Sequence, residues 1–206
     1  MSGAAPAKAP RPAEGSTLYD LFIRHRTRAF WKMTDQGVIP EADRLAYPVD
    51  GRWGFRLYSD IVSVNLASIT VPRFGTTTNC TIKFGNGAVL VVVNSTAQGV
   101  PDAGQAEHYY DFVVDLHQRL VDGGHAGRIR FTRGFEASHT HFGAGFLLTG
   151  ASALLVVPLL IALGTGDPEV LWAMLGGVFF LYPLWRGYYR NQPATYDPRD
   201  PPDMLA

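Results

Sequence analysis

The 206-residue sequence has a single cysteine, Cys80, so neither an internal disulfide framework nor a cysteine-based zinc site is available to it. It has no net charge, with 18 Lys+Arg against 18 Asp+Glu, and therefore lacks the basic surplus that marks a nucleic-acid partner. Charged residues make up only 17 % of the chain, against roughly 25 % in soluble domains. Signatures of nucleophilic and phosphate chemistry are missing as well. There is no G-x-S-x-G elbow, no P-loop, and no G-x-G-x-x-G following a strand. Cys80 falls in the apolar phase of its strand and reads as a small buried hydrophobe. His139-Thr-His141 has no cysteine and only Glu136 nearby to complete a metal site. The sequence therefore predicts no enzyme, no cofactor and no metal.

The charges that are present are unevenly spread. Residues 142–185 contain no Lys or Arg and two acids, Asp167 and Glu169. Within them Phe142–Leu163 is a run of 22 uncharged residues, about 33 Å long as a helix against a hydrocarbon core of ~30 Å. A second run, Val170–Trp185, extends to Tyr189 if Arg186 snorkels, and brings Tyr182, Trp185, Tyr188 and Tyr189 to where an interfacial belt is expected. The pattern predicts two transmembrane helices, 142–163 and 170–189, joined by the short loop 164–169. Gly145, Thr149 and Ala153 on the first helix, with Ala173 and Gly177 on the second, form a small-residue stripe suited to helix–helix packing.

Arg128, Arg130 and Arg133 precede the first run, and Arg186 and Arg190 close the second. The positive-inside rule then places both termini in the cytoplasm of a multi-pass inner-membrane protein, and these five arginines are the expected headgroup contacts. Arg24, Arg26 and Arg28 form a secondary basic patch. Residues 1–16, rich in Ala and Pro, read as disordered; 126–141 read as a basic juxtamembrane segment, and 190–206 as a Pro-rich cytoplasmic tail.

Between these lies a β pattern, expected to form one domain over 17–125. Ala29–Met33 reads as a strand that ends in the turn-like Asp35-Gln-Gly37, with Asp35 and Asp60 expected to fix turns and strand ends. Thr17–Ile23 reads as a short helix or extended segment beside the membrane. Trp53–Tyr58 reads as a further strand. Val62, Val64 and Leu66 alternate with Ser63 and Asn65, and Cys80, Ile82 and Phe84 alternate with Thr81 and Lys83, the period of half-buried strands. Gly85-Asn-Gly87 is a hairpin signal, followed by the apolar strand Ala88–Val93. The period then changes: after Gly99-Val-Pro-Asp102, with Asp102 as cap, Ala106, Tyr109, Val113, Leu116 and Leu120 recur at helical steps until Gly123-Gly124. Strands followed by one amphipathic helix predict an α+β domain with an antiparallel barrel or sandwich.

The segments Phe30-Trp-Lys-Met-Thr-Asp-Gln-Gly37, Leu57-Tyr-Ser-Asp-Ile-Val62, Cys80-Thr-Ile-Lys-Phe-Gly-Asn-Gly87 and Tyr110-Asp-Phe-Val-Val-Asp-Leu-His117 resemble a bacterial pleckstrin-homology-like (PH-like) domain of small inner-membrane proteins, over about residues 29–122. The resemblance implies a roughly seven-stranded bent barrel closed by a helix that binds lipid headgroups, peptides or proteins. The bases at the matching first hairpin, Lys32, Arg44, Arg52 and Arg56, are interspersed with Glu41, Asp43 and Asp50.

Together these readings predict a non-enzymatic, membrane-anchored binding or adaptor module. Its partners would be membrane lipids or an unidentified protein, with no nucleic acid, and with self-association through the helical hairpin left open. The alternatives are an accessory subunit that contacts a membrane complex through the hairpin, and a membrane-associated enzyme.

Overall fold

The computed structural model describes residues 13–25, 35–71, 75–134, 152–153, 156–165, 172, 182 and 192–202. The chain divides into two compact units. One comprises residues 1–133 together with 194–206, and the other residues 134–193.

The first unit is built on nine strands. Four come first: β1 (Tyr19–His25), β2 (Asp35–Pro40), β3 (Arg44–Val49) and β4 (Arg52–Leu57). A short 3-10 turn (Tyr58–Asp60) leads to β5 (Ile61–Val71), β6 (Gly75–Phe84) and β7 (Val89–Val93). The helix α1 (Ala103–Asp122) follows, then β8 (Arg130–Arg133) and finally β9 (Ala194–Thr195). The strand order is β4-β3-β2-β1-β7-β6-β5-β8-β9. All neighbours are antiparallel except β5 and β8, which run parallel from Ser63↔Arg130 to Leu66↔Arg133. The strands thus form one mixed sheet, where an antiparallel barrel or sandwich was expected. The physical reason is topological: α1 returns the chain to the end of the sheet where β5 starts, so β8 can only run alongside it.

Local chemistry explains the elements. Asp50 and Gly51, both at positive φ (53° and 73°), form the two-residue loop of the β3–β4 hairpin, an Asp-Gly pair suited to a type I′ turn. Asp35 holds this loop, its carboxylate accepting from the backbone N–H of Asp50 (3.1 Å) and Gly51 (2.9 Å). Gly37, at φ 103°, lies under the Trp53 ring; a Cβ there would stand 3.1 Å from the ring. The Asp102 carboxylate caps α1 by accepting from Gly104 N–H at 2.9 Å. Tyr109, Phe112, Val113, Leu116 and Leu120 turn from α1 into the core, meeting Leu21 and Ile23 of β1, Val64 and Leu66 of β5, and Cys80 and Ile82 of β6.

The alternation of β6 is as its residue pattern predicts, with Cys80, Ile82 and Phe84 buried. That of β5 is not. The pairing slips between Ile61 and Ser63, so Val62 points outward at 48 % exposure while Ser63 is buried. A bulge inserts one residue and reverses the phase around it. Thr17–Ile23, read as a short helix or an extended segment beside the membrane, is extended and contributes β1, which pairs with both β2 and β7 near the middle of the sheet. The segment read as a strand over Ala29–Met33 lies outside the described residues.

The expected pair of transmembrane helices is overturned. Among the described residues no helix is long and apolar enough to cross a membrane. Helical residues 156–165, the longest described piece of the two apolar runs, are ten residues and reach about 15 Å, half of a ~30 Å hydrocarbon core. The inner-membrane placement and the orientation derived from the flanking arginines fall with the spans. Most of Phe142–Leu163 and Val170–Tyr189 lies outside the described residues, including Gly145, Thr149, Ala173, Gly177 and Arg186, as does Arg190. Of the small-residue stripe only Ala153 is described, exposed in a helical position.

Candidate functional site

The two ends of the sheet carry the distinctive chemistry. At one end β4 pairs, among the described strands, only with β3. Ala46↔Phe55 and Arg44↔Leu57 are opposed in this ladder, so all four side chains share one face. Phe55 is 58 % exposed, Leu57 is also exposed, and the Arg44 guanidinium stacks 4.8 Å above the Phe55 ring. Glu41 pairs with Arg44 through its carboxylate. Val49 at the start of the Asp-Gly loop adds a further exposed apolar group. The edge strand of the sheet thus presents an apolar surface with a cation at its border.

At the other end the sheet is extended by two short pieces of chain. β8 lies on β5, where Asn65 clamps it: the Asn65 Nδ2 donates to Thr132 Oγ1 at 3.0 Å and to the Thr132 carbonyl at 3.3 Å. Phe131 of β8 is buried, while Arg130 and Arg133 point out. β9 then pairs with β8, Thr132↔Thr195 and Arg133↔Ala194. The chain therefore leaves the sheet after Arg133 and returns beside that same residue at Ala194.

A polar seam runs beneath α1 at this end. His117 is 1 % exposed. Its Nδ1 lies 2.6 Å from the Val113 carbonyl, an acceptor, so Nδ1 carries the proton and Nε2 is the free acceptor. The Tyr196 hydroxyl, 2.7 Å away, donates to that Nε2. Tyr196 also packs its ring on His117 and Phe131, with centroids at 5.7 and 5.8 Å. Burial lowers the His117 pKa to about 4, partly offset by the Val113 carbonyl. Burial likewise raises the Tyr196 hydroxyl, which lies close to the Cys80 thiol. The same burial pushes Cys80 up to about 12 and holds the Tyr109 hydroxyl far above its ordinary value. Every one of these groups is neutral at pH 7. His117 and Tyr196 supply hydrogen bonding, and none of the four is poised to exchange a proton near neutrality.

The residues singled out from sequence are scattered over this framework. Arg128 is exposed and contacts His125 Nδ1, and Arg130 and Arg133 flank the buried Phe131 on β8. Arg24 is exposed on β1, separated from β8 by β7, β6 and β5, so the two basic groups do not form one patch. Arg26 and Arg28 lie outside the described residues, as do His139 and His141. The headgroup role expected of Arg128, Arg130 and Arg133 loses its basis with the spans. Among the described residues no three His, Cys, Asp or Glu side chains gather as metal ligands.

Sequence reasoning missed Phe55, Leu57, His117 and Tyr196. The Asp50-Gly51 pair between alternating residues would have revealed the β3–β4 hairpin and its edge. Nothing local marks His117 and Tyr196 as partners, 79 positions apart.

No family model and no curated protein matches this chain.

Proposed function

We propose that the chain is a non-enzymatic, PH-like binding module whose partner is a protein that adds an extended segment to the edge of its sheet. The observation that carries this reading is the β4 edge. An edge strand offers unpaired backbone donors and acceptors, and proteins ordinarily blunt such edges with charge, bulges or proline. Here one face of the edge carries exposed Phe55 and Leu57 beside Arg44, while Arg52 and Arg56 alternate onto the other face. Backbone pairing would supply affinity, while the apolar groups on alternate positions would supply selectivity. The opposite edge, where two separate pieces of the chain add as strands, supports the same mode of recognition.

The test is site-specific photo-cross-linking in cells with the reactive group at Phe55 or Leu57, and at Asn86 in the β6–β7 turn as control. The reading expects one polypeptide joined from both β4 positions, absent from Asn86, and reduced at least tenfold by Arg44→Glu. Equal labelling from Asn86, or no cross-linked polypeptide, overturns it.

A further inference from the structure

β9 is two residues long and lies on a strand of four, and one backbone bond, Tyr196 N–H to the Phe131 carbonyl at 3.4 Å, continues the pairing. So short a strand has little hold of its own. What seats it is Tyr196. The socket it enters is made by other elements: His117 from α1 forms its floor and Phe131 from β8 its wall, and both are buried. The Val113 carbonyl fixes the His117 ring, so Nε2 faces the socket as an oriented acceptor. Beside the socket runs the outer edge of β8, to which an incoming strand pairs. An aromatic wall, an acceptor at the floor and a strand edge alongside together recognise an extended segment that carries a tyrosine. Phenylalanine in the same place would leave a buried acceptor unpaired, a penalty that separates the two side chains.

We infer that the β8 edge and the His117–Phe131 socket form a docking site for a tyrosine-bearing extended segment of a partner protein, filled in this structure by the chain's own Ala194-Thr195-Tyr196. The inference rests on the binding-module reading and names a second edge for it. The tail competes in cis. It is joined to β8 through residues 134–193, which form a compact unit of their own, so a partner segment must outcompete a covalently linked tail.

The probe is a synthetic peptide of residues 192–200, Gln-Pro-Ala-Thr-Tyr-Asp-Pro-Arg-Asp, titrated by fluorescence anisotropy into the full chain carrying Tyr196→Ala. Saturable binding is expected, at least tenfold tighter than to the unmutated chain and at least tenfold tighter than that of the peptide carrying Tyr196→Phe. No saturable binding to a variant that melts as the unmutated chain does, or equal binding of the two peptides, overturns the inference. Should Tyr196→Ala fail to fold, the unmutated chain provides the second reading. Isotopically distinguished peptide at several millimolar should speed hydrogen exchange at the chain's own Tyr196 amide, and unchanged exchange overturns the inference. The two readings also fail separately. Peptide binding without cross-links from Phe55 or Leu57 retains the socket and removes the β4 reading, while cross-links without peptide binding do the reverse.

Discussion

The two edges of the sheet meet the same physical problem in opposite ways. The β4 edge pairs through six residues on one side only among the described strands, and shows Phe55 and Leu57 to solvent. The β5 edge is hidden under β8 and then β9, with an asparagine clamp and a buried aromatic cluster holding the cover in place. A sheet edge that exposes apolar side chains is a hazard unless something uses it, whereas a covered edge costs chain entropy to close. The contrast teaches that this domain ties down one edge with its own chain and leaves the other available.

The largest test of this contrast removes the cover's anchor. Phe131→Ala takes a buried ring from β8 and from the walls around His117 and Tyr196, and should destabilise the domain by about 3–5 kcal/mol in urea unfolding. A loss below about 1 kcal/mol would mean that β8 is ornamental to the core. Next comes the acid response of the seam. His117 titrates near 4 when folded and near 6.5 when unfolded, so the unfolded chain binds more protons between those values. The stability this group contributes is complete above pH 6.5 and is lost as pH falls toward 4. At about 1.4 kcal/mol per pH unit the loss approaches about 3 kcal/mol. Denaturation midpoints of the unmutated chain and of His117→Gln should therefore diverge in slope across this window, and parallel slopes would show that the histidine is not held neutral.

A smaller effect is expected from the clamp. Asn65→Ala removes the Nδ2 donor to Thr132 and should cost about 1–2 kcal/mol. Hydrogen exchange should speed at Thr132 and Arg133 first, with β6 and β7 unaffected; uniform acceleration would mean that the edge does not open on its own. The smallest change belongs to the bare edge. Phe55→Ser alters a side chain already in solvent, so thermal stability should stay within about 0.5 kcal/mol of the unmutated chain. A larger drop would show that Phe55 serves the fold, and the contrast between the edges would collapse.

Much of the central fold is legible from residue pattern. The β6 alternation, the Gly85-Asn-Gly87 turn, the Asp102 cap and the core face of α1 are local matters, set by period and turn chemistry within a few residues. Asp50-Gly51 was equally local and would have announced the β4 edge. Two failures have different causes. The phase of β5 is broken at Val62 by a bulge, which only its pairing with β6 reveals. The apolar runs were read from hydropathy alone, which measures what a segment would tolerate and not what it forms. Their described part is a helix too short to span.

The sequence by itself determined the strand-rich domain, its helix and the burial of Cys80, because those follow from side-chain periods and from backbone freedom at particular glycines. Tertiary structure alone decided that Thr17–Ile23 contributes a central strand, that β8 runs parallel to β5, and that Tyr196 returns to close on His117. These depend on which backbone groups find partners far along the chain. A hydrogen bond across 79 positions leaves no period in the sequence to read.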